Sequence, residues 1–135
     1  MSLTQVVIGI ALAILVLKVF DALRTRTVSA RDVFVIDGDT IGVRRRFFRP
    51  ERIRIANIDA PETRGLRSLW EGRRGEDAKK ALKDLIWYAE TIEIVSSGGR
   101  DRFGRTLARV RAISDQGRVD AGEHLVRRGL ARRWA

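Results

Sequence analysis

The sequence predicts an α+β domain: a small, mainly β barrel with two or so helices, preceded by one hydrophobic helix. Three observations lead to this fold class. The first 23 residues are almost uncharged and apolar, several later segments have the composition or the period-two alternation of short strands, and two segments have helical spacing. With the first 23 of its 135 residues set apart, the chain has room for about one small domain.

The apolar segment 1–23 is predicted to be a transmembrane or signal-anchor helix. No charge occurs from Met1 to Leu17, and the apolar-rich stretch from Leu3 to Phe20 has 18 residues. A helix of that length measures about 27 Å, just enough for a thin bilayer core. Secretion after cleavage of a signal peptide is the alternative, but the segment has no basic start, and the small residues 28–30 stand well beyond Leu17.

Basic residues gather after this segment, and they predict its orientation. Lys18, Arg24, Arg26 and Arg31 all flank its C-terminal side, which favours a membrane anchor with the following domain on the cytoplasmic side. Residues 24–30 are polar and basic and are expected to form a linker. Residues 31–135 are then the folded domain.

Strand signals dominate the first half of this domain. Strands are expected over 33–36 and 40–43, with a turn at Asp37-Gly38 between them. Charged and apolar residues alternate over 52–56, so Arg54 projects from a strand while Ile53 and Ile55 are buried. Two further strands are expected over 91–95 and 106–113.

Helical signals follow in two places. Apolar residues recur at helical intervals from about Glu76 to Ala89, and Asp120 is positioned to cap a last helix that stops before Gly129. Trp70, Trp87 and Tyr88 are expected to pack, with stacking on a base as the alternative for an exposed ring. Short strands, an inserted helix, a strand pair and a terminal helix together predict a five-stranded Greek-key barrel of the OB type.

The charge of the chain suggests a polyanionic partner. Lys and Arg number 27 against 17 Asp and Glu, and the net charge of +10 lies entirely on residues 24–135. Nucleic acid and anionic lipid both suit such a surface, although a plain solubility charge would look the same. The absence of cysteine excludes disulfides, thiolate metal sites and a cysteine nucleophile. The single histidine, His124, is expected to pack rather than to react.

Carboxylates in a basic chain need an explanation, because they repel a polyanion. Two acidic clusters, Asp37-Gly38-Asp39-Thr40 and Asp59-Ala60-Pro61-Glu62, stand between basic segments. Carboxylates are useful in such a groove if they hold a metal ion or move a proton. Each has a simpler interpretation as a turn residue, and Asp37 suits a turn or supporting role as well as a ligand role.

Four segments, in unbroken order over about residues 31–134, resemble the staphylococcal nuclease (thermonuclease) family. They are VIDGDT at 35–40, RIRIANIDAPET at 52–63, DRFGRTLA at 101–108 and LVRRGLA at 125–131. Each segment alone is a weak signal, but four in order are not expected by chance. Ala60 and Phe103 depart from the best-known member, which has threonine and tyrosine there.

The resemblance implies an OB-fold, Ca²⁺-dependent nuclease that hydrolyses DNA and RNA at the 5′ P–O bond and leaves 3′-phosphates. It implies one Ca²⁺ ion and no small-molecule cofactor. By position, the resemblance assigns metal ligands (Asp39, Asp59 and the Ala60 carbonyl), a general base (Glu62), phosphate-binding groups (Arg54 and Arg105) and supporting residues (Asp37, Thr40 and Asp101).

Elementary chemistry agrees with this assignment. Ca²⁺ takes oxygen ligands in irregular geometry, and arginine donates to phosphate in a fork that lysine lacks. Two other classes of function stay open from the residues alone: an inactive module that binds nucleic acid or an acidic partner at a membrane, and a scaffold in which the anchor is the functional element. Neither needs carboxylates in a phosphate groove. Oligomeric state does not follow from the sequence.

Overall fold

The computed structural model describes residues 1–61 and 69–133, and it confirms the mixed α+β class. A long apolar helix precedes a β-rich domain with two further helices in these ranges. The elements are α1 (Leu3–Arg24), β1 (Thr25–Ser29), a 3₁₀ helix (Ala30–Asp32), β2 (Val33–Asp37), β3 (Thr40–Val43), β4 (Glu51–Ile55), β5 (Ile58–Asp59), α2 (Leu69–Trp87), β6 (Thr91–Arg100), β7 (Thr106–Ser114), β8 (Gly117–Asp120), α3 (Ala121–Arg127) and β9 (Arg132–Arg133).

The main sheet closes into a barrel. Its strand order is β1-β6-β7-β4-β3-β2, in which β4 and β7 pair in parallel and the other neighbours are antiparallel. The two strands at the ends of this order follow each other in the chain and are separated by a single 3₁₀ turn, so the two edges of the sheet must meet. Counting β1 and β2 as one interrupted strand gives the five positions of the expected OB-type barrel. Outside it, β8 pairs with β7 and β9 pairs with β5.

The expected linker over residues 24–30 is wrong. Residues Thr25–Ser29 form β1, which pairs with β6 in the register from Thr25↔Val95 to Ser29↔Thr91. The segment is ordered by a partner far away in the sequence, and its local composition carries no sign of that pairing. As a consequence, α1 runs directly into a barrel strand at Thr25.

The core lies inside the barrel and beneath α2 and α3. Ile53 and Ile55 are fully buried, as the alternation of β4 predicts, and Leu82 of α2 and Leu125 of α3 cover the barrel. Aromatic packing at the end of α2 is not found: Trp87 and Tyr88 are exposed, and the side chain of Trp70 lies outside the part of the chain that the structure describes. The helical period carries Ala78, Ala81, Leu82 and Ile86 of α2 to the core and places Trp87 on the outer face.

Helix ends follow the expected signals. The Asp120 carboxylate accepts a hydrogen bond of 3.0 Å from the Glu123 N–H at the start of α3. Gly129 ends this helix with φ +69°, and the Leu130 N–H donates back to the Leu125 carbonyl at 2.9 Å. A left-handed residue at this position favours glycine.

Helix α1 is long and apolar enough to cross a membrane. It has 22 residues and a mean hydropathy of 2.5, and its apolar side chains are exposed along its length. At 1.5 Å per residue it measures about 33 Å, close to the thickness of a bilayer core. A signal sequence would have the same features.

Candidate active site

The turn between β2 and β3 presents Asp39 and Thr40. Asp39 Oδ1 accepts a hydrogen bond of 2.8 Å from Thr40 Oγ1, and the Asp39 carbonyl accepts the Ile55 N–H at 2.8 Å. Asp37 instead accepts the Gly38 N–H at 2.9 Å, next to an irregularity in the β2–β3 register. The second aspartate of the motif is therefore fixed against β4, while the first is engaged within its own turn.

Close packing requires the glycine of this turn. A Cβ atom on Gly38 would lie 2.9 Å from the Ala78 Cβ of α2 and 3.1 Å from the Ala60 Cβ. Real Cβ atoms do not approach backbone-fixed methyl groups so closely. The contact places the turn beside Ala60, the residue whose carbonyl is a predicted metal ligand.

Arg54 lies between two carboxylates. It stands on β4 directly opposite Thr40, and its side chain is 12% exposed. Its Nη2 is 3.3 Å from Asp59 Oδ1 and 3.6 Å from Asp39 Oδ2. Asp39 is 13% exposed and Asp59 44%, so one carboxylate is enclosed by the protein while the other opens to solvent.

The β6–β7 loop positions Arg105 through Asp101. Asp101 Oδ1 accepts the N–H groups of Phe103 and Arg105, each at 2.9 Å, and Asp101 Oδ2 accepts Arg105 Nε at 2.6 Å. Gly104 adopts φ +76° and closes the turn with a bond to the Asp101 carbonyl. One carboxylate thus fixes both the loop backbone and the guanidinium.

Burial alone would raise the pKa of Asp101, but the hydrogen bonds outweigh it. Those from the Arg105 backbone, the Arg105 guanidinium and the Phe103 backbone together hold the pKa of this carboxyl below its ordinary value of 3.8. Asp101 is therefore ionised at neutral pH and keeps its hold on Arg105.

Thr40 joins the two halves of the site. Its side chain is almost completely buried, and its Oγ1 accepts Arg105 Nη1 at 2.9 Å while donating to Asp39. The hydroxyl thus uses its donor and an acceptor site at once. A continuous polar network results, formed by Asp101, Arg105, Thr40, Asp39, Arg54 and Asp59.

Two of the predicted metal ligands point toward one place. The oxygens of Asp39 and Asp59 both lie within 3.6 Å of the same Arg54 nitrogen, so the carboxylates converge on a single positive group. Convergent carboxylate oxygens are what a hard cation needs, and the site fits one in this respect. Among residues 1–61 and 69–133, no group of three or more His, Cys, Asp or Glu side chains is arranged to hold a metal ion. The remaining ligands would have to be carbonyls, waters or substrate.

Sequence reasoning missed the strand that supports Asp59. This residue ends β5, which pairs with β9 through Asp59↔Arg132 and Ile58↔Arg133. Arg133 is held in turn by Glu123, to which its Nη2 donates at 2.7 Å. A two-residue strand gives no periodic signal, and so nothing in the sequence indicated it.

Most of the predicted site residues come together in this network. The exception is Glu62, the predicted general base, which is not among the residues that the structure describes. Asp37 and Ala60 lie next to the network without a side-chain bond to it in the part of the chain described. His124 is half-buried on α3.

The fold and this site together define a small OB-type barrel with carboxylates and arginines in one network. A family model described as "Staphylococcal nuclease homologue" matches residues 52–135. The chain belongs to this family. Arg54, Asp59 and Arg105 lie inside the match, and the structure connects to them Asp39 and Thr40, which precede it.

Two curated relatives match part of the chain. It is 32% identical over 95 residues to an "Uncharacterized endonuclease" of Haemophilus influenzae, covering 70% of this chain and 48% of that protein. It is 38% identical over 78 residues to "Protein ParB" of Escherichia coli, covering 58% of this chain and 38% of that protein. The chain thus spans less than half the length of either relative.

Proposed function

We propose that this protein is a Ca²⁺-dependent nuclease that hydrolyses phosphodiester bonds of DNA, RNA or both, and that α1 tethers it to a membrane. The polar network between two arginines and three carboxylates carries the proposal, because it brings residues of separate segments to one end of the barrel. Membership of the nuclease homologue family and the name of one relative support it.

The two arginines would bind the scissile phosphate. Their side chains are 12% and 17% exposed and are held by carboxylates, so their positions are set before substrate arrives. Forked N–H donors on fixed guanidiniums bind phosphate oxygens and offset charge that develops during cleavage. Preorganisation of this kind saves the cost of ordering two long side chains.

The carboxylates would serve a cation. Asp39, Asp59 and the Ala60 carbonyl are the residues that would hold Ca²⁺, which supplies Lewis acidity toward a phosphoryl oxygen when bound. Asp39 also accepts the hydrogen bond of the Thr40 hydroxyl, which in turn accepts one from Arg105. Asp39 is thus connected both to the proposed cation and to a phosphate-binding arginine.

Glu62 would move the proton. In the proposed reaction, Glu62 takes a proton from a water molecule as the water oxygen forms a bond to phosphorus. The bond from phosphorus to the 5′ oxygen breaks, and that oxygen leaves as a hydroxyl after gaining a proton from solvent. The products are a 3′-phosphate and a 5′-hydroxyl. General-base assistance of this kind contributes about 10² to 10⁴ in rate.

A cleavage assay of the full chain in detergent or nanodiscs tests the proposal. Single-stranded and duplex DNA and RNA are incubated with Ca²⁺ or with EDTA. We expect cleavage only with Ca²⁺ and a loss of most cleavage in Glu62→Gln and in Arg105→Ala. Arg102→Ala is the matched control, because Arg102 is an exposed arginine of the same loop with no hydrogen bond to the network.

Each alternative has its own signature in this assay. Full activity in both site variants contradicts the nuclease assignment. Salt-dependent binding with no cleavage in Ca²⁺ identifies instead an inactive module that holds nucleic acid by charge alone.

The strand that follows α1 supports an uncleaved anchor over a signal peptide. The small residues Val28-Ser29-Ala30 that resemble a cleavage site fall in and beside β1, where Val28 pairs with Ile92. Cleavage there would remove most of a strand that closes the barrel. We expect the full chain to keep its intact mass after expression and to stay with membranes in alkaline carbonate. A product that begins near residue 30 contradicts the tether.

A further inference from the structure

We propose that the β3–β4 loop, residues 44–50, is a second membrane contact that binds anionic lipid headgroups beside α1. The inference rests on the tether part of the proposed function. The sequence of the loop is RRRFFRP, with four arginines around two adjacent phenylalanines. The structure supports the idea through the exposure of these side chains and through their place on the barrel.

The two phenylalanines of the loop are in water when no membrane is present. Phe47 is 81% exposed and Phe48 is 74% exposed, and the residues around them are exposed as well. The Arg46 guanidinium lies 5.4 Å from the centre of the Phe47 ring. Adjacent exposed aromatic rings with cationic neighbours suit the interface of an anionic bilayer, where rings enter the headgroup layer and guanidiniums meet phosphate.

The C-terminal side of the loop lies where α1 enters the barrel, whereas Arg44, at the start of the loop, donates to the Arg31 carbonyl of the 3₁₀ helix. Arg26, two residues after α1, donates through Nη2 to both carboxylate oxygens of Glu51, the first residue after the loop. Both line one surface depression together with Ser96, Gly98, Gly99 and Arg100 of β6 and Thr106 of β7. Because Thr25 pairs with Val95, the rest of β6 extends past the start of β1 toward α1. A membrane that contains α1 therefore comes up to this end of the domain.

Nucleic acid is the competing occupant, but the two exposed phenylalanines and the ion pair that connects the loop to the start of β1, next to α1, favour lipid. Thr40 begins β3 next to Asp39, a predicted metal ligand, whereas the loop leaves β3 after Val43, at the other end of that strand. The loop arginines thus lie away from the Asp39 turn, and Glu51 connects the end of the loop to Arg26 beside α1. Their charge adds to that of Lys18 and Arg24, which already favour the cytoplasmic, anionic side.

The absence of cysteine permits a site-specific test on the full chain. Phe48→Cys is labelled with an environment-sensitive fluorophore and reconstituted into phosphatidylcholine vesicles with or without phosphatidylserine. Tyr88→Cys is the matched control: its aromatic ring is 78% exposed, and it lines a different surface depression, with Val119 and His124, that contains no residue of the loop. Quenching by nitroxide-labelled lipid and by aqueous iodide is measured for both.

We expect the label at position 48 to be quenched by nitroxide lipid, to shift to the blue and to lose its iodide quenching in phosphatidylserine vesicles. Replacing Arg45, Arg46 and Arg49 with glutamine should reverse these changes, and the label at position 88 should show none. Equal behaviour of the two labels overturns the proposal. Protection of position 48 by an oligonucleotide but not by lipid also overturns it and assigns the loop to nucleic acid.

Retention of the chain by vesicles in alkaline carbonate is measured in the same samples. Loss of the chain from the vesicles overturns the tether and this inference together. Retention without lipid quenching overturns the inference alone. Because no readout depends on cleavage, failure of the nuclease proposal is distinguished from both.

Discussion

The replacement Asp101→Asn separates the two tasks of this carboxylate. Oδ1 holds two backbone N–H groups of the loop, and Oδ2 holds the Arg105 Nε at 2.6 Å. Asparagine keeps an acceptor for the backbone but places an NH₂ group, or an uncharged oxygen, against the guanidinium. The loop should therefore keep its shape while Arg105 loses its charged partner.

The magnitude follows from the chemistry and exposure of the pair. A hydrogen bond between charged groups contributes about 1.5 to 3 kcal/mol, and partial solvent exposure favours the low end. With side chains 16% and 17% exposed, we expect the free energy of unfolding to fall by about 1 to 2 kcal/mol. Cleavage should fall further, by about 10- to 100-fold in kcat/KM, because a misplaced guanidinium loses its grip on the transition state.

Urea denaturation and steady-state cleavage of a defined oligonucleotide measure the two effects. Asp115→Asn is the control, since it makes the same chemical change at an exposed turn residue. Because the pKa of Asp101 is lowered, its carboxylate makes the free energy of unfolding depend on pH. The stabilisation is complete above the ordinary pKa of 3.8 and is lost as pH falls through the lower native pKa. Asp101→Asn should lack that acid-dependent part. An Asp101→Asn enzyme that cleaves as fast as the parent refutes the positioning role.

Three further predictions concern the turn, the histidine and the cation. Gly38→Ala should lower the free energy of unfolding by about 1 to 3 kcal/mol in urea denaturation, because the new Cβ would lie 2.9 Å from the Ala78 Cβ. An unchanged urea midpoint would show that the turn is loosely packed. Burial and the charge of Arg128 lower the pKa of His124, so the free energy of unfolding should fall as pH drops below the ordinary value of 6.5. His124→Gln should remove this slope between about pH 7.5 and about pH 5.5, as measured by urea denaturation. Arg54→Gln leaves the Asp39 and Asp59 carboxylates without their shared guanidinium. The variant should therefore melt at a lower temperature than the parent in EDTA and gain more thermal stability from Ca²⁺. A smaller gain than that of the parent would argue against a cation at this place.

Local patterns predicted the elements whose partners lie close in the sequence. The alternation around Arg54 predicted a strand with buried isoleucines, and Asp120 and Gly129 predicted both ends of α3. These signals depend on solvent exposure and helix capping, which neighbouring residues determine. The Asp37-Gly38 turn was predicted for the same reason.

Long-range pairing accounts for what the sequence did not indicate. Residues 25–29 were interpreted as a linker because their strand partner, 91–95, is remote along the chain. The pairing of β5 with β9 and the bond from Arg105 to Thr40 depend likewise on the closed barrel. The resemblance suggested that these site residues act together, but only the fold shows that the buried Thr40 hydroxyl connects the two arginine-containing segments.

Charge balance within the network explains why a basic chain keeps carboxylates in its site. Three carboxylates, from Asp39, Asp59 and Asp101, face two guanidiniums, so the described network is net negative although its surroundings are strongly positive. A net negative site repels a phosphodiester, whereas a bound divalent cation would make it net positive. Binding of the substrate phosphate at this site should therefore require the cation. Attraction of nucleic acid to the rest of the positive surface should not require it. Without Ca²⁺, oligonucleotide binding is expected to depend on salt and to be insensitive to Arg105→Ala, while with Ca²⁺ the same replacement should weaken binding.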